Sequence, residues 1–361
     1  MSRKAKIYLS DEGFGHIVRQ DAIAKELLKL IPALELTIQT EKHLEVAQSI
    51  FGKATYISKH NNIVWNKKSN GSPDVTLISE FFGDYEARSD EYILEELGKL
   101  EYDFLLSDFV YEPFELGFQK AVPTFGVAHF TWDWFFSKLY PPPLKSDLIK
   151  RFFDAAEKAN TLYFPPLTPV EITNHYKNSK IVPFIVRKNI DHKVLETRNN
   201  QFKVLIIDSG AGVLRNSIEK SIQELSVLDD IHFFLVEGFD YQSDNITYLS
   251  KSDLLVDFIG GMDLVIGRAG FNTISECIAL RTPMLLLGEA MNPEMSENIL
   301  ELKKLGLGSF MSLKKFETAL STFLPKFITS EYKTIKENME SHNFESNGAE
   351  VIARDILVKI S

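Results

Sequence analysis

The chain has 361 residues, of which 44% are hydrophobic and 25% are charged, and its formal net charge is −10. This length exceeds what one hydrophobic core usually supports, so we expect two domains. The acidic balance disfavours broad nucleic-acid binding, and a single cysteine, Cys277, excludes an internal disulfide and a thiolate-rich metal site. No window holds the roughly 20 apolar residues of a membrane span, and the first residues lack a signal-peptide core. We therefore expect a cytoplasmic protein with no transmembrane segment and no nucleic-acid partner.

The first segment of the chain predicts a strand, a glycine turn and a helix. Residues 5–10, "AKIYLS", form the apolar strand, the turn contains Gly13 and Gly15, and the helix opens near His16. Glycines allow close approach of a ligand or of another backbone, so the turn alone is weak evidence for binding. The positive end of a helix disfavours imidazolium, which favours a neutral His16 able to take a proton.

Three further charged residues lie around this turn. We expect Asp11 and Glu12 to be solvated loop charges, and a contact of either with the acceptor stays open. Arg19, one turn beyond His16, is explained equally well as a contact to an anion and as a surface arginine.

The rest of the first half alternates short apolar strands with amphipathic helices, which is typical of parallel βαβ units. The strand "FLLSD" ends at Asp108, at the sheet edge where His16 is expected. Residues 129–153 are rich in aromatic side chains and begin with His129 and Trp132. Core packing is the usual role of such a segment, and an acceptor-side role or a peripheral membrane contact stays open.

A second series of strands and helices follows a polar segment. The sequence predicts an N-terminal domain over residues 1–185, a linker over 186–201 and a C-terminal domain over 202–345. The last helix, 346–361, is expected to pack back on the first domain. Both halves open with a strand and a glycine-containing loop, so we predict an α/β fold of two Rossmann-like domains facing across a cleft.

Residues 263–308 carry the strongest signal for ligand binding. An apolar strand runs into Arg268 and Gly270, and a helix follows. Unpaired amides and the helix dipole favour an anion such as a diphosphate at this point. Asn272, Thr273 and Glu276 share one face of the helix, which suits phosphate oxygens first and a ribose diol next. An ordinary capped helix with a solvated Glu276 explains the pattern about equally well.

This stretch resembles the C-terminal nucleotide-sugar signature of GT-B glycosyltransferases, including the family that adds N-acetylglucosamine to the peptidoglycan lipid intermediate. The resemblance implies that Glu276 holds the donor ribose, that Glu294 and Asn298 contact the donor sugar, and that the loop "IIDSGAG" faces the donor phosphates. The predicted donor-binding residues are Ser209, Gly210, Gly212, Arg268, Gly270, Asn272, Thr273, Glu276, Glu294 and Asn298.

The resemblance also reaches the first half. Many inverting GT-B enzymes carry a histidine after the first strand and an aspartate after a later one, and His16 and Asp108 match these positions. The acceptor-side residues are then Gly13, Gly15, His129 and Trp132.

The implied reaction is inverting, metal-independent hexosyl transfer from a nucleotide-diphosphate sugar, with UDP as the first candidate. The acceptor is the hydroxyl of a small molecule, a glycan or a lipid-linked substrate. We expect no cofactor and no metal site, since the histidines show no metal-ligand spacing.

Two other functions remain open at this point. Relatives with a similar "GxGH" opening hydrolyse a nucleotide sugar, in which case His16 activates water. The second alternative is a non-catalytic protein or subunit that binds a nucleotide sugar.

Overall fold

The computed structural model describes the chain except residues 1, 13, 59–62, 64–65, 69–71, 109, 188–192, 194, 198–199, 208–212, 251–254 and 289–290. The chain divides into two compact units. Unit 1 comprises Met1–Lys67, Pro73–Lys188 and Glu345–Ser361, and unit 2 comprises Lys68–Ser72 and Asn189–Phe344.

Unit 1 contains a seven-stranded sheet in which every neighbouring pair is parallel. Its strands are β1 (Arg3–Leu9), β2 (Leu34–Gln39), β3 (Thr55–Ile57), β4 (Phe104–Asp108), β5 (Thr124–Val127), β6 (Thr161–Phe164) and β7 (Ser179–Ile181). Their order in the sheet is β3-β2-β1-β4-β5-β6-β7.

Helices cover both faces of this sheet. They are α1 (Phe14–Leu30), α2 (Leu44–Phe51), α3 (Val75–Phe81), α4 (Tyr85–Leu97), α5 (Glu112–Lys120), α6 (Trp132–Ser137), α7 (Ser146–Ala156) and α8 (Val170–His175). Side chains alternate along β1, so that Ile7 and Leu9 join one core cluster while Tyr8 joins another. The central strands are therefore buried on both faces, as parallel sheets require.

The last helix of the chain, α15 (Gly348–Ile360), belongs to unit 1 and packs against α1. The carboxylate of Asp355 accepts hydrogen bonds from the Tyr163 hydroxyl and the Lys180 ammonium, both at 2.6 Å. These contacts join α15 to β6 and β7.

At Gly348, the start of α15 lies very close to the backbone of the segment that follows β7. A Cβ at this position would lie 2.1 Å from the carbonyl oxygen of Pro183. We expect Gly348→Ala to destabilise unit 1 by about 1–3 kcal/mol, because backbone must move to relieve the overlap. Thermal unfolding of the full chain measures this. Gly98→Ala is the matched control, since a Cβ there meets nothing closer than 4.0 Å; equal stability of the two variants would contradict the argument.

Unit 2 contains a six-stranded parallel sheet. Its strands are β8 (Phe202–Ile207), β9 (Ile231–Val236), β10 (Ile246–Leu249), β11 (Leu264–Arg268), β12 (Met284–Gly288) and β13 (Ser309–Ser312), in the order β10-β9-β8-β11-β12-β13. Its helices are α9 (Val213–Leu225), α10 (Val256–Ile259), α11 (Phe271–Ala279), α12 (Pro293–Leu305), α13 (Leu313–Ser330) and α14 (Tyr332–Ser341).

Both sheets have a switch point, where the strand order reverses, and such points are where ligands bind in this class of fold. In each, the first strand lies between the second strand and the fourth, so the chain reverses direction across the sheet at β1/β4 and at β8/β11. In doubly wound sheets, ligands bind outside the carboxyl ends of the strands at this switch point. The predicted α/β class with two Rossmann-like domains is confirmed. Within the described residues, no helix combines the length and the apolar character that crossing a membrane requires.

Candidate active site

A fully buried carboxylate stands at the switch point of unit 1. Asp108 ends β4 beside β1, and its carbonyl oxygen accepts a hydrogen bond from Ser10 N at 3.1 Å. Its carboxylate receives four hydrogen bonds from three side chains of α1. They come from His16 Nδ1 at 2.8 Å, Arg19 Nε at 3.0 Å, Arg19 Nη2 at 2.5 Å and Gln20 Nε2 at 2.9 Å.

The contact between His16 and Asp108 determines which ring nitrogen of the imidazole carries the proton. An ionised carboxylate only accepts hydrogen bonds, so Nδ1 of His16 carries a proton and donates it to Oδ1. A neutral imidazole protonated at Nδ1 has its lone pair at Nε2. Only 8% of His16 is exposed. The arrangement is that of a general base oriented by a carboxylate.

Charge compensation keeps Asp108 ionised. Burial alone would raise the pKa of this carboxyl group, but the guanidinium of Arg19 and then His16 outweigh burial and hold the pKa well below its usual range. The ion pair is almost completely shielded from solvent, since 1% of the Arg19 side chain and none of the Asp108 side chain is exposed. Asp108 is therefore an anion throughout the physiological pH range.

Sequence reasoning left one of these partners open and missed another. Arg19 was expected either to contact an anion or to lie at the surface, and the surface alternative is wrong because only 2% of the residue is exposed. Gln20 was not considered. The available signal was spacing, because positions 16, 19 and 20 stand at i, i+3 and i+4 and so share one face of a helix.

His129 belongs to the same buried cluster as Asp108 and Arg19, whereas Trp132 packs elsewhere in the unit. Nδ1 of His129 lies 3.2 Å from Nη1 of Arg19. Trp132 is 1% exposed and packs its ring against Phe130, Phe135 and Phe136. The ring is therefore part of the core of unit 1 and offers no surface to an acceptor in this structure.

The loop after β1 is held by a buried acid. Asp11, expected to be a solvated charge, is only 5% exposed. Its carboxylate accepts hydrogen bonds from Thr40 Oγ1 at 2.5 Å and from the backbone amide of Glu41 at 3.2 Å. That expectation is wrong for Asp11 because β2 ends beside β1 and brings these two donors to the loop. Gly13 lies outside the described residues, and Gly15 is half-buried in the first turn of α1.

The switch point of unit 2 presents the N-terminus of α11. Arg268 ends β11 and is 7% exposed, and Gly270 is the N-cap of α11 with open space where a Cβ would stand. The first amide of the helix, Phe271 N, donates to Glu294 Oε1 at 3.4 Å. A carboxylate oxygen therefore already lies at this helix terminus, which is the place that favours anions.

The remaining predicted donor residues fall into three groups. Asn272, Thr273 and Glu276 are half-buried on one face of α11, opposite the buried Ile274 and Cys277. Asn298 is buried, and its Nδ2 donates to Ala269 O at 2.9 Å, so it supports the loop before α11. The third group, which comprises Ser209, Gly210 and Gly212, lies outside the described residues.

No group of three or more His, Cys, Asp and Glu side chains that could hold a metal ion occurs among the residues described. The titratable side chains of the cluster in unit 1 instead satisfy one another.

The second half of the chain carries a recognisable sequence signature. Residues 192–356 match the glycosyltransferase family 28 C-terminal domain. The predicted resemblance to GT-B glycosyltransferases is confirmed. So is the prediction of an enzyme of the glycosyltransferase class.

Individual glycosyltransferases resemble more of the chain. An uncharacterized glycosyltransferase of Methanosarcina acetivorans is 24% identical over 86% of this chain and 84% of its own length. The UDP-N-acetylglucosamine--N-acetylmuramyl-(pentapeptide) pyrophosphoryl-undecaprenol N-acetylglucosamine transferase of Pelagibacter ubique is 28% identical over 47% of this chain and 53% of its own. The crystal structure of the calicheamicin glycosyltransferase matches with a TM-score of 0.67 at 12% identity, over 99% of this chain and 98% of that one. This last similarity shows a shared fold.

Proposed function

We propose that this glycosyltransferase moves a sugar from a nucleotide-diphosphate donor to an acceptor hydroxyl, with inversion at the anomeric carbon and without a metal ion. The observation that carries the proposal is the hydrogen bond from His16 Nδ1 to the buried, ionised Asp108. This bond leaves the lone pair of a neutral His16 at Nε2, where it accepts the proton of the attacking hydroxyl.

In the proposed step, the acceptor oxygen loses its proton to His16 Nε2 and forms a bond to the anomeric carbon. The bond between that carbon and the diphosphate oxygen breaks on the opposite face, and the nucleoside diphosphate departs. Asp108 stabilises the imidazolium that forms. A single displacement from the opposite face inverts the anomeric configuration.

The donor is proposed to bind unit 2 at the start of α11. Amides at the helix N-terminus other than Phe271 N, which donates to Glu294, and the cation of Arg268 favour the diphosphate and its growing negative charge. Glu276, about one turn deeper, is proposed to accept hydrogen bonds from the ribose hydroxyls. UDP is the first candidate because the Pelagibacter ubique relative is named for UDP-N-acetylglucosamine. Acceptor-side roles are assigned to Gly13, Gly15 and His129.

A donor screen followed by product analysis tests this function. UDP, dTDP and GDP are first compared by calorimetry, and we expect UDP to bind most tightly. The matching nucleotide sugar is then incubated with and without candidate acceptors. We expect a glycoside of inverted configuration, formed equally fast with EDTA present.

Free sugar released at the same rate without an acceptor would indicate a hydrolase. Loss of activity in EDTA that magnesium restores would contradict metal independence, and binding without turnover would indicate a non-catalytic role.

A further inference from the structure

Arg19 joins the two histidines of the cluster through one guanidinium group. Its Nε and Nη2 donate to the two carboxylate oxygens of Asp108, at 3.0 and 2.5 Å. Its third nitrogen, Nη1, lies 3.2 Å from His129 Nδ1. All of these groups are buried. The planar guanidinium therefore links the end of β4 to His129, the second residue after the strand β5.

The hydrogen-bonding chemistry assigns a proton position to each imidazole. Arginine only donates, so Nδ1 of His129 accepts, and a neutral His129 carries its proton at Nε2. Asp108 only accepts, so a neutral His16 carries its proton at Nδ1. Arg19 Nη2 also lies 3.2 Å from His16 Nδ1, and when Nδ1 donates to Asp108 this contact places two donors side by side at Asp108 Oδ1.

We propose that Arg19 is a positioning residue: it holds the Asp108 carboxylate that orients His16, and it donates to His129 Nδ1, so that the two rings take opposite tautomers. A neutral His16 then has its lone pair at Nε2, and a neutral His129 has its proton at Nε2. This inference rests on the proposed function for its catalytic meaning, because a general base needs the first of these two states.

The charge of Arg19 matters as well as its shape. Among the described residues, Asp108 and Arg19 are charged groups in hydrogen-bonding distance of His16, and His129 contacts Arg19. With Asp108 ionised and both imidazoles neutral, the cluster has no net charge. Without the guanidinium, Asp108 would face His16 alone and would favour imidazolium, which cannot accept a proton.

Tautomers are read directly from long-range ¹H–¹⁵N spectra of the histidine rings in the full-length protein without substrate. We expect the His16 ring to be protonated at Nδ1 and the His129 ring at Nε2, with signals assigned from His16→Asn and His129→Gln. In Arg19→Lys, which keeps the charge and loses the fork, the His129 ring is expected to lose its preference for Nε2–H. A wild-type His129 ring protonated at Nδ1 would overturn the inference. No substrate is present, so this test fails or succeeds independently of the transferase assay.

Kinetics separate positioning from a merely structural role. Arg19→Lys is expected to lower kcat by about 10²-fold through misplacement of the base, with the KM for the donor within about twofold of wild type. Arg19→Met removes the charge too, and the acid limb of its kcat/KM profile is expected to move to higher pH.

His129→Gln, which keeps an amide near the Nε2 position, should retain more activity than His129→Asn. An unchanged kcat in Arg19→Lys, an unmoved acid limb, or the reverse order of the His129 pair would contradict the proposal.

Discussion

Replacing His16 by alanine or asparagine is expected to lower kcat by about 10²–10⁴-fold, the usual contribution of a general base. Both variants remove the Nε2 lone pair that takes the proton of the acceptor hydroxyl. Asparagine places an amide near the Nδ1 position, where it can still donate to Asp108, so this variant keeps the buried contact and loses only the base. Steady-state kinetics with saturating donor and acceptor measure the effect.

Two controls make this result specific to the base. Calorimetry with the nucleoside diphosphate should give the wild-type Kd in both variants, because the proposed donor residues belong to unit 2. His175→Ala removes an exposed histidine of unit 1 that packs against Phe153, and we expect it to leave kcat unchanged. If His16→Asn turned over at the wild-type rate, proton transfer to His16 could not be part of the mechanism.

Replacing Asp108 by asparagine is expected to destabilise unit 1 by about 3–5 kcal/mol, the usual cost of breaking a buried ion pair. The Arg19 side chain, 1% exposed, would be left without a counter-charge. Urea unfolding followed by tryptophan fluorescence measures this, since Trp132 and Trp134 are buried in unit 1 and the sequence of unit 2 contains no tryptophan.

The effect of Asp108 on stability has a defined pH dependence. A carboxyl group whose pKa is lower in the folded state stabilises the fold above its unfolded pKa, roughly 4 for aspartate, and loses that contribution as the pH falls further. The difference between wild type and Asp108→Asn should therefore be constant near neutral pH and shrink in acid. A difference that grew in acid would contradict the assigned direction.

Asp21 provides a matched control on the same helix. It is also buried, but burial raises its pKa, and its two cationic partners are held more loosely: Lys25 at 2.7 Å is 59% exposed, and Arg187 lies 3.8 Å away with 10% of its side chain exposed. We expect Asp21→Asn to cost less stability than Asp108→Asn at neutral pH. Equal losses in Asp21→Asn and Asp108→Asn would show that burial, and not the Arg19 ion pair, sets the cost.

The local units of this fold were predictable from sequence because their signals are short-range. The strand and the helix around His16 follow from apolar periodicity within about 25 residues, although the helix begins at Phe14 and so includes Gly15, which was predicted to lie in the turn. The same holds for β11, Gly270 and α11, where buried Ile274 and Cys277 alternate with half-buried Asn272 and Glu276. The α/β class followed from the alternation of such units along the chain.

Only the tertiary structure determined the contacts between residues that are far apart in sequence. His16 and Asp108 are 92 residues apart and Arg19 and His129 are 110 apart, and both pairs meet because β1, β4 and β5 are neighbours in the sheet. Sequence reasoning anticipated the first pair through a family resemblance and missed the second. It also left the surface and anion-contact alternatives for Arg19 open and took Asp11 for a solvated charge.

The physical reason is that burial of a charged residue is a property of its surroundings. The residues next to Arg19 place it on the same helix face as His16, but they do not show that the guanidinium meets an aspartate at the end of β4 and a second histidine. The sequence by itself determined which residues could do the chemistry and which helix face carries them. Only the order of the strands determined that an aspartate, an arginine and two histidines share one buried cluster.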